Sequence, residues 1–245
     1  MIRRILIVGG ANGIGLSIAK ELCKSQDCEK IYILDKSPLA IEFQEPKIES
    51  DVFDLYSSDY SILEKYSDIN ALMITAGFGH LELFKDVSEE YIVSSFNVNA
   101  IAPIRIIRKF MDKLCGQDDF YCGIMVSIAG FMSSPFFAVY GATKAALKIF
   151  VESVNVELVK AGTSNRILNV SPGSIKGTSF NNGSTDLSQT SQLANEIIEN
   201  LVKKNDLFIP QYEEIYRKVL NRYADDFRAE GLHSYEYKEQ SGRIN

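Results

Sequence analysis

The feature that most constrains this chain is a glycine-rich turn near its start, which reads VGGANGIG at residues 8–15. The apolar run Ile5–Val8 precedes it, and apolar residues then recur every four positions at Ile14, Ile18 and Leu22. This pattern predicts a buried strand, a tight turn and a helix that packs on the strand. Strands without polar alternation are typical of a parallel sheet that helices cover on both faces.

Strand-like and helix-like stretches alternate along the rest of the chain. Further strands are predicted at Ile31–Leu34, Ile48–Phe53, Ala71–Thr75, Ile124–Ser127, Ile167–Val170 and Leu207–Ile209. Helices are predicted at about Ser88–Leu114, Tyr140–Lys160, Gln192–Lys204 and Glu213–Arg228, and a polar loop at Thr178–Ser191. The alternation predicts an α/β fold with a Rossmann-type, doubly wound parallel sheet in three layers.

The predicted domain organisation is a single Rossmann-type domain over residues 1–245, in which residues from about 206 to 245 form a divergent C-terminal extension. The last fifteen residues, GLHSYEYKEQSGRIN, either are partly disordered or dock on a partner subunit. The N-terminal MIRRILIVGG is interpreted as the first strand and not as a signal peptide, because glycines interrupt its apolar stretch after four residues.

Composition excludes several classes of function. Hydrophobic residues make up 46% of the chain, charged residues 24%, and the formal net charge is −6, which does not favour nucleic acid as a partner. No apolar run approaches the roughly 18 residues that a membrane span requires, so we expect no membrane association and a cytoplasmic location. The four cysteines and two histidines lack the spacing of a metal site, so no metal is predicted.

The glycine turn has the properties of a phosphate-binding loop. Gly9 permits a tight exit from the strand, Gly13 lets the backbone approach a phosphate closely, and Gly15 lets the helix pack against the sheet. A helix that begins there offers free N–H groups and the positive end of its dipole to a pyrophosphate. The turn therefore predicts that the chain binds a dinucleotide.

An acidic residue, Asp35, ends the second predicted strand, 20 positions after Gly15. A carboxylate at that place accepts hydrogen bonds from the ribose hydroxyls of the adenosine and repels a 2′-phosphate. No Arg or Lys lies inside the glycine loop, although Lys36 is adjacent and would partly compensate. The predicted cofactor is NAD(H), with NADP(H) as the alternative.

Three residues in the segment Ser127–Lys144 suit proton transfer. Tyr140 and Lys144 are four positions apart and share one face of a helix, and Ser127 ends a predicted strand, where α/β folds place their active sites. Reducing a carbonyl by hydride transfer leaves an alkoxide that must be protonated. A free tyrosine, with a pKa of about 10, exchanges protons poorly near neutrality, and a neighbouring ammonium lowers that pKa. The serine hydroxyl can hold the substrate oxygen beside the phenol.

In its ordered motifs the chain resembles the short-chain dehydrogenase/reductase family. The family's catalytic serine precedes its tyrosine by 13 residues, as Ser127 precedes Tyr140, and YGATK at residues 140–144 supplies the YxxxK motif. NVN at 97–99, PGSI at 172–175 and Asp51-Val52 resemble further family segments. The likeness covers nearly the whole chain up to about Thr178.

The resemblance implies a set of site residues and their roles. It implies Asn99, Ser127, Tyr140 and Lys144 as the catalytic group, in which Asn99 kinks its helix and links Lys144 to a water chain. The cofactor-binding residues that it implies, together with the glycine turn, are Gly9, Asn12, Gly13, Ile14, Gly15, Asp35, Asp51, Val52, Ala76, Gly77, Tyr140, Lys144, Pro172, Gly173, Ile175 and Thr178.

The sequence departs from the family pattern at three places. Val8 stands where Thr is usual before the first glycine, and ITAG at residues 74–77 stands where NNAG is usual. We interpret both as variation in how the sheet is stabilised. After the PG pair, Gly177 occupies the position of a cofactor-binding threonine and Thr178 follows one residue later, which puts that contact in doubt.

The activity that follows is hydride transfer between NAD(P) and a small alcohol or carbonyl substrate, with Tyr140 as acid and base. One alternative is a catalytically silent dinucleotide-binding regulatory protein. Another is a nucleotide-sugar epimerase, which shares YxxxK but usually carries a longer C-terminal domain. The family also implies a homodimer or homotetramer through the two long predicted helices.

Two groups of aromatic residues have more than one interpretation. One group lies near the motifs and either lines an apolar substrate pocket or fills the core: Phe78, Phe131, Phe136 and Phe137. The other lies in the C-terminal helix and forms a lid, an interface or ordinary packing: Tyr212, Tyr216 and Tyr223.

Overall fold

A seven-stranded parallel sheet forms the centre of the computed structural model, which describes residues 1–57, 59–178, 180 and 184–241. Its strands are β1 (Arg4–Val8), β2 (Lys30–Asp35), β3 (Ile48–Val52), β4 (Ala71–Ile74), β5 (Tyr121–Met125), β6 (Ile167–Val170) and β7 (Leu207–Phe208). They lie in the order β3-β2-β1-β4-β5-β6-β7, and every neighbouring pair is parallel.

The direction of winding reverses at β1. Val8, its last residue, pairs with Leu34 of β2 on one side and with Ile74 of β4 on the other. The turn after β1 and the segment after β4 therefore emerge side by side at the carboxyl edge of the sheet. In open α/β sheets this crevice is where ligands bind.

Helices cover both faces of the sheet. They are α1 (Gly13–Cys23), α2 (Glu89–Phe96), α3 (Ala102–Lys109), α4 (Met111–Cys115), α5 (Ala138–Lys160), α6 (Leu187–Val202), α7 (Arg217–Asp225) and α8 (Phe227–Gln240). Alternate residues of β1 explain the two layers, since Ile5 and Ile7 pack with α1 and α6, whereas Leu6 and Val8 pack with α3, α4 and α5. The predicted fold class is confirmed.

The prediction of one long helix at Ser88–Leu114 is wrong, because three shorter α-helices occupy this range. A π-helical turn, Asn97–Ile101, separates α2 from α3, and Phe110 leaves helical geometry between α3 and α4. The strand predicted at Ile124–Ser127 is also displaced, since β5 ends at Met125 and leaves Ser127 in the segment beyond it. In the first case a tertiary hydrogen bond, described below, overrides the local periodicity.

Side-chain caps place two later helices differently from the sequence prediction. Asp186 accepts a hydrogen bond from the N–H of Ser188, and α6 begins at Leu187. The last residues of the predicted loop Thr178–Ser191, from Leu187 onward, are therefore helical. Asp226 accepts from the N–H groups of Arg228 and Ala229 and starts α8. The segment predicted as one helix, Glu213–Arg228, is therefore divided among the π-helical turn Tyr212–Tyr216, α7 and the start of α8. The tail is helical up to Gln240.

Residues 179 and 181–183 of the predicted loop and residues 242–245 of the predicted tail lie outside the described part of the chain. Within the described part, no helix combines the length and the apolar character that crossing a membrane requires.

Candidate active site

The first turn of α5 brings Tyr140 and Lys144 onto one face at the carboxyl edge of the sheet. Lys144 is buried, and its Nζ donates to the carbonyl of Met125 at 2.9 Å. Nζ also lies 5.5 Å from the centre of the Tyr140 ring. The four-residue spacing thus places an ammonium beside a phenol, as the sequence predicted.

Ser127 lies just beyond β5 and joins this pair. Its Oγ accepts a hydrogen bond from the N–H of Ala129 at 3.1 Å and lies 3.5 Å from the carbonyl oxygen of Pro172. The same hydroxyl is hydrogen-bonded to the phenol of Tyr140. The three predicted residues therefore come together at the carboxyl edge of the sheet.

Burial dominates the electrostatics of this group. It raises the pKa of Tyr140 to about 12, against the opposing effect of the hydrogen bond with Ser127. Burial also lowers the pKa of Lys144 to about 8. The expected lowering of the Tyr140 pKa by the ammonium is not found in this structure, where burial raises that pKa instead.

Asn99 lies in the π-helical turn and is fully buried. Its Oδ1 accepts from the N–H of Phe78 at 2.9 Å, and its Nδ2 donates to the carbonyl of Phe78 at 2.8 Å. A Cβ atom at Gly77 would lie 3.2 Å from Oδ1 of Asn99 and 3.4 Å from Nζ of Lys144. Asn99 therefore lies in the turn that separates α2 from α3, and its side chain and that of Lys144 both border Gly77. Such π-helical turns are frequent at functional sites.

The glycine turn forms a cradle that fits a pyrophosphate. Gly9 has a φ of +88°, and a Cβ there would lie 2.4 Å from the backbone N of Ala76. A Cβ at Gly15 would lie 2.4 Å from the carbonyl oxygen of Gly9. The side chain of Asn12, which precedes α1, makes no cap, so the positive end of the helix dipole is not covered by the residue at the helix start. Both the backbone space and the dipole suit a dinucleotide.

Other contacts around α1 extend this cradle. The N–H of Gly13 donates to Oγ1 of Thr185 at 3.2 Å. A Cβ at Gly13 would lie 3.5 Å from Cβ of Thr178, so the predicted threonine lies against the glycine turn despite its displacement by one residue. Ile14 packs on the core beneath the turn. The segment before α6 therefore covers the turn.

Asp35 ends β2 and holds the glycine turn in place. Its Oδ2 accepts from the N–H of Ala11, and its Oδ1 accepts from the N–H of Ser37, each at 3.0 Å. A carboxylate has about four acceptor positions, so these bonds leave others for ribose hydroxyls. The residue thus has a structural role that the sequence did not predict, next to its predicted one.

The two predicted adenine neighbours face different surroundings. Val52 pairs with Asp35 at the end of β3, and its side chain is 61% exposed. The carboxylate of Asp51 instead accepts from Nζ of Lys65 at 2.5 Å and from the hydroxyl of Tyr66 at 2.7 Å, and these bonds lower its pKa. Val52 is open to a ligand, whereas Asp51 is already partnered.

The PG segment connects Ser127 to the C-terminal region. The carbonyl of Pro172 accepts from the N–H of Ile128 at 3.0 Å, and Ile175 packs on the core. A Cβ at Gly173 would lie 1.6 Å from the hydroxyl oxygen of Tyr216. Only glycine fits at this position, because the phenol of Tyr216 occupies the space of a side chain.

Sequence reasoning missed Thr75 as a member of the site. Its Oγ1 donates to the carbonyl of Gly9 at 2.9 Å and lies 3.2 Å from that of Val8. The departure from the NNAG pattern was the available signal. This hydroxyl ties β4 to the glycine turn, in agreement with the interpretation that the departures concern sheet stabilisation.

The predicted aromatic residues divide between the site, the buried interior and half-buried positions. The rings of Phe137 and Phe180 lie 5.3 Å and 5.2 Å from that of Tyr140, so both belong to the site, and Phe180 was not predicted. Phe136 is buried at a φ of +65° and contacts Tyr235 of α8 at 4.6 Å. Phe78 contacts Tyr91, and Phe131 lies under Nζ of Lys148.

Comparisons with known proteins agree with this geometry. Residues 3–189 match the family model described as short chain dehydrogenase. An oxidoreductase of Staphylococcus epidermidis is 23% identical over 193 residues, which are 71% of this chain and 81% of that protein.

Two solved structures share the fold. A short-chain dehydrogenase from Streptomyces avermitilis is 19% identical with a TM-score of 0.75, and the match covers 99% of both chains. One from Burkholderia cenocepacia, solved in complex with NADP, is 17% identical with a TM-score of 0.76, over 95% of this chain and 97% of that one.

Proposed function

Because this chain belongs to the short chain dehydrogenase family, we propose that it is an NAD(P)-dependent oxidoreductase acting on the CH–OH group of a small alcohol or on the corresponding carbonyl. The observation that carries the proposal is the meeting of Ser127, Tyr140 and Lys144 beside the glycine cradle. A bound nicotinamide dinucleotide supplies or accepts the hydride. The chain's own residues bind, orient and exchange the proton.

Tyr140 is the proposed acid in the direction of reduction. Its phenol is neutral at physiological pH, because burial raises its pKa to about 12, and it therefore holds the proton that a nascent alkoxide needs. Lys144, 5.5 Å from the ring centre, stabilises the phenolate that remains, since its pKa of about 8 leaves it mostly charged at pH 7. In the direction of oxidation the same phenolate accepts the proton.

Ser127 and Asn99 are proposed to position the other participants. The hydroxyl of Ser127, already hydrogen-bonded to Tyr140, would also bond the substrate oxygen and hold it at the phenol. The side chains of Asn99 and Lys144 both border Gly77. This supports the proposed role of Asn99 in a proton relay that returns a proton to Tyr140. Lys144 is proposed to bind the nicotinamide ribose as well.

We propose NAD(H) as the preferred cofactor. Support comes from Asp35, whose carboxylate is fixed at the end of β2 by two backbone N–H groups and would repel a 2′-phosphate. The alternative cofactor is NADP(H), which is bound in the solved structure from Burkholderia cenocepacia. The ratio of kcat/KM with NADH to that with NADPH tests the preference. We expect it to exceed 1 and to fall about tenfold in Asp35→Asn, and a strong NADPH preference of the unaltered protein would contradict it.

A homodimer or homotetramer is proposed through α5 and the segment from α2 to α4. Apolar side chains remain exposed on these elements, for example Val156 at 70%, Val159 and Ile149 on α5 and Val93 on α2. Sedimentation of the unaltered protein and of Val156→Glu tests this, with dissociation as the expected result of the substitution. A cytoplasmic location remains a prediction from the sequence.

Screening the purified protein with both cofactors and a panel of alcohols and ketones tests the proposed activity directly. Turnover followed by the absorbance of the reduced cofactor, and lost in Tyr140→Phe, is the expected result. Tight cofactor binding without any turnover would instead favour the silent regulatory protein. Turnover that is retained in Tyr140→Phe would refute the assignment of the proton donor.

A further inference from the structure

One cleft contains Tyr140 together with polar groups that the proposed chemistry does not use. Its lining comprises His80, Glu82, Val87, Tyr91, Phe136, Phe137, Ala138, Val139 and Tyr140. Most of these side chains are apolar or aromatic. His80 and Glu82 are the exceptions, and both come from the segment that follows β4.

The two polar residues form a fixed pair. Nε2 of His80 lies 3.0 Å from Oε2 of Glu82, and the two side chains are 44% and 34% exposed. The ring of His80 packs on that of Tyr91, with 4.2 Å between the ring centres, and the backbone N–H of His80 donates to the hydroxyl of Tyr91. The imidazole is therefore held between a carboxylate and an aromatic ring before any ligand arrives.

The opposite wall of the cleft is tied to the same segment. The N–H of Glu82 donates to the carbonyl of Phe136 at 2.9 Å, and Phe136 is itself buried with a positive φ. Phe137 follows and contacts the ring of Tyr140. The segment that contains His80 and Glu82 is thus tied by a backbone hydrogen bond to the segment that precedes Tyr140.

Part of this pair is available to a ligand. Among the contacts of the described residues, none occupies Oε1 of Glu82 or Nδ1 of His80. Oε1 is an acceptor only, and Nδ1 accepts when Nε2 carries the proton that it donates to Glu82. The carboxylate also repels an anion. Nζ of Lys238 lies 5.6 Å from the centre of the Phe137 ring, but it is hydrogen-bonded to Ser134 and Pro135 and does not line the cleft.

We propose that His80 and Glu82 form a subsite that selects substrates with a second hydroxyl group close to the reacting carbon. This rests on the proposed function, because Tyr140 defines where the reacting carbon lies. The hydroxyl donates to Glu82 in a cleft of about 10 Å³, which has room for a group of the size of a hydroxyl or a water molecule. Carboxylated or phosphorylated analogues, whose groups are larger and charged, are rejected. The substrate class is a small neutral hydroxy ketone or the corresponding vicinal diol.

The test uses a matched pair of ketones, 2-hydroxycyclohexanone and 2-methylcyclohexanone, which differ by a hydroxyl in place of a methyl group. Four proteins are compared: the unaltered chain, Glu82→Leu, Glu82→Gln, and Glu64→Leu as a control, since Glu64 is exposed and outside the cleft. Both kcat/KM with reduced cofactor and binding by saturation-transfer NMR are measured for each ketone.

We expect the unaltered chain to prefer the hydroxy ketone by about 10- to 100-fold, which is the range for a hydrogen bond to a charged acceptor. Glu82→Leu abolishes the preference, Glu82→Gln retains part of it through its amide oxygen, and Glu64→Leu leaves it unchanged. Equal circular dichroism spectra and melting temperatures show that the variants are folded.

The two readouts separate this proposal from the proposed function. Turnover of both ketones without preference overturns the subsite and leaves the oxidoreductase activity standing. Selective binding of the hydroxy ketone that is lost in Glu82→Leu, without turnover of either ketone, supports the subsite and counts against the activity. If neither ketone is turned over and the hydroxy ketone does not bind selectively, the subsite is overturned together with the activity.

Discussion

The carboxyl edge of the sheet and the C-terminal helices α7 and α8 both border the candidate site, but they differ in how deeply their side chains are buried. The edge rests on strands and helices whose side chains are almost fully buried in two core layers. By contrast, α7 buries none of its residues and α8 buries only Glu230 and Gly231. Few buried side chains therefore hold the C-terminal region, whereas the candidate site rests on the two core layers of the sheet.

Those few contacts fall on residues next to the site. Tyr216 touches Gly173, Tyr235 contacts Phe136, and Nζ of Lys238 donates to Oγ of Ser134 and to the carbonyl of Pro135. Burial there lowers the pKa of Lys238 to about 8. The comparison assigns the proposed proton chemistry to the sheet edge and the walls around it to the C-terminal region. Four substitutions test this division.

Tyr140→Phe should have the largest effect. Removing the phenolic hydroxyl eliminates the proton donor, so kcat should fall by about 10²- to 10⁴-fold while the melting temperature and cofactor affinity stay nearly unchanged. Steady-state kinetics and cofactor fluorescence measure these quantities. Tyr237→Phe on α8, whose side chain is 60% exposed, is the control and should keep full activity. Comparable losses in both variants would contradict the proposed division.

Lys144→Met should lower kcat by about 100-fold and change its dependence on pH. In the unaltered protein, kcat for reduction should decline above pH 8, because Lys144, with a pKa of about 8, loses the charge that stabilises the phenolate. Tyr140 itself stays protonated through this range, since its pKa is about 12. The variant should lack the decline, and an identical profile in both proteins would refute the role of Lys144.

Gly173→Ala should have an intermediate effect, because it forces the two regions apart. The new methyl group would lie 1.6 Å from the hydroxyl oxygen of Tyr216. Such overpacking costs about 1–3 kcal/mol, and each kcal/mol lowers the melting temperature by roughly 2–4 °C in a chain of this size. Calorimetry of Gly173→Ala, Tyr216→Ala and the double variant tests this. The glycine substitution should cost little when Tyr216 is already alanine, and additive losses would mean that the two residues do not interact.

Arg222→Gln should have the smallest effect and one confined to the C-terminal region. Nε and Nη2 of Arg222 donate to the carboxylate of the buried Glu230 at 2.6 Å and 2.9 Å and join α7 to α8. Without them, amide hydrogen exchange in α8 should accelerate while kcat/KM with small ketones changes little. Arg217→Gln, which breaks an exposed ion pair with Glu213, should leave exchange in α8 unchanged. Slower turnover in Arg222→Gln alone would show that α8 also affects the chemistry.

Sequence reasoning was most accurate where a local pattern decides the structure. β6 was predicted at its observed bounds, and Tyr140 and Lys144 share a face because the period of a helix places residues four apart together. The glycine turn has the predicted strand before it and helix after it, since its backbone angles and close contacts suit glycine.

The errors occur where a distant contact competes with the local pattern. Apolar periodicity favours one helix from Ser88 to Leu114, yet the bonds between Asn99 and the backbone of Phe78, 21 residues earlier, coincide with a π-helical turn. The pKa of Tyr140 was expected to be lowered by its neighbour. Burial by side chains from several segments raises it instead.

By itself the sequence determined the order of strands and helices, the phosphate cradle and the spacing of the catalytic group. Each of these follows from a repeat of two or four residues or from the backbone freedom of glycine, which act over a few positions. Only the tertiary structure decided that Tyr216 covers Gly173 and that His80 and Glu82 face the cleft of Tyr140. Those contacts join segments more than 40 residues apart, and their formation depends on how the whole chain packs and not on any periodicity along it.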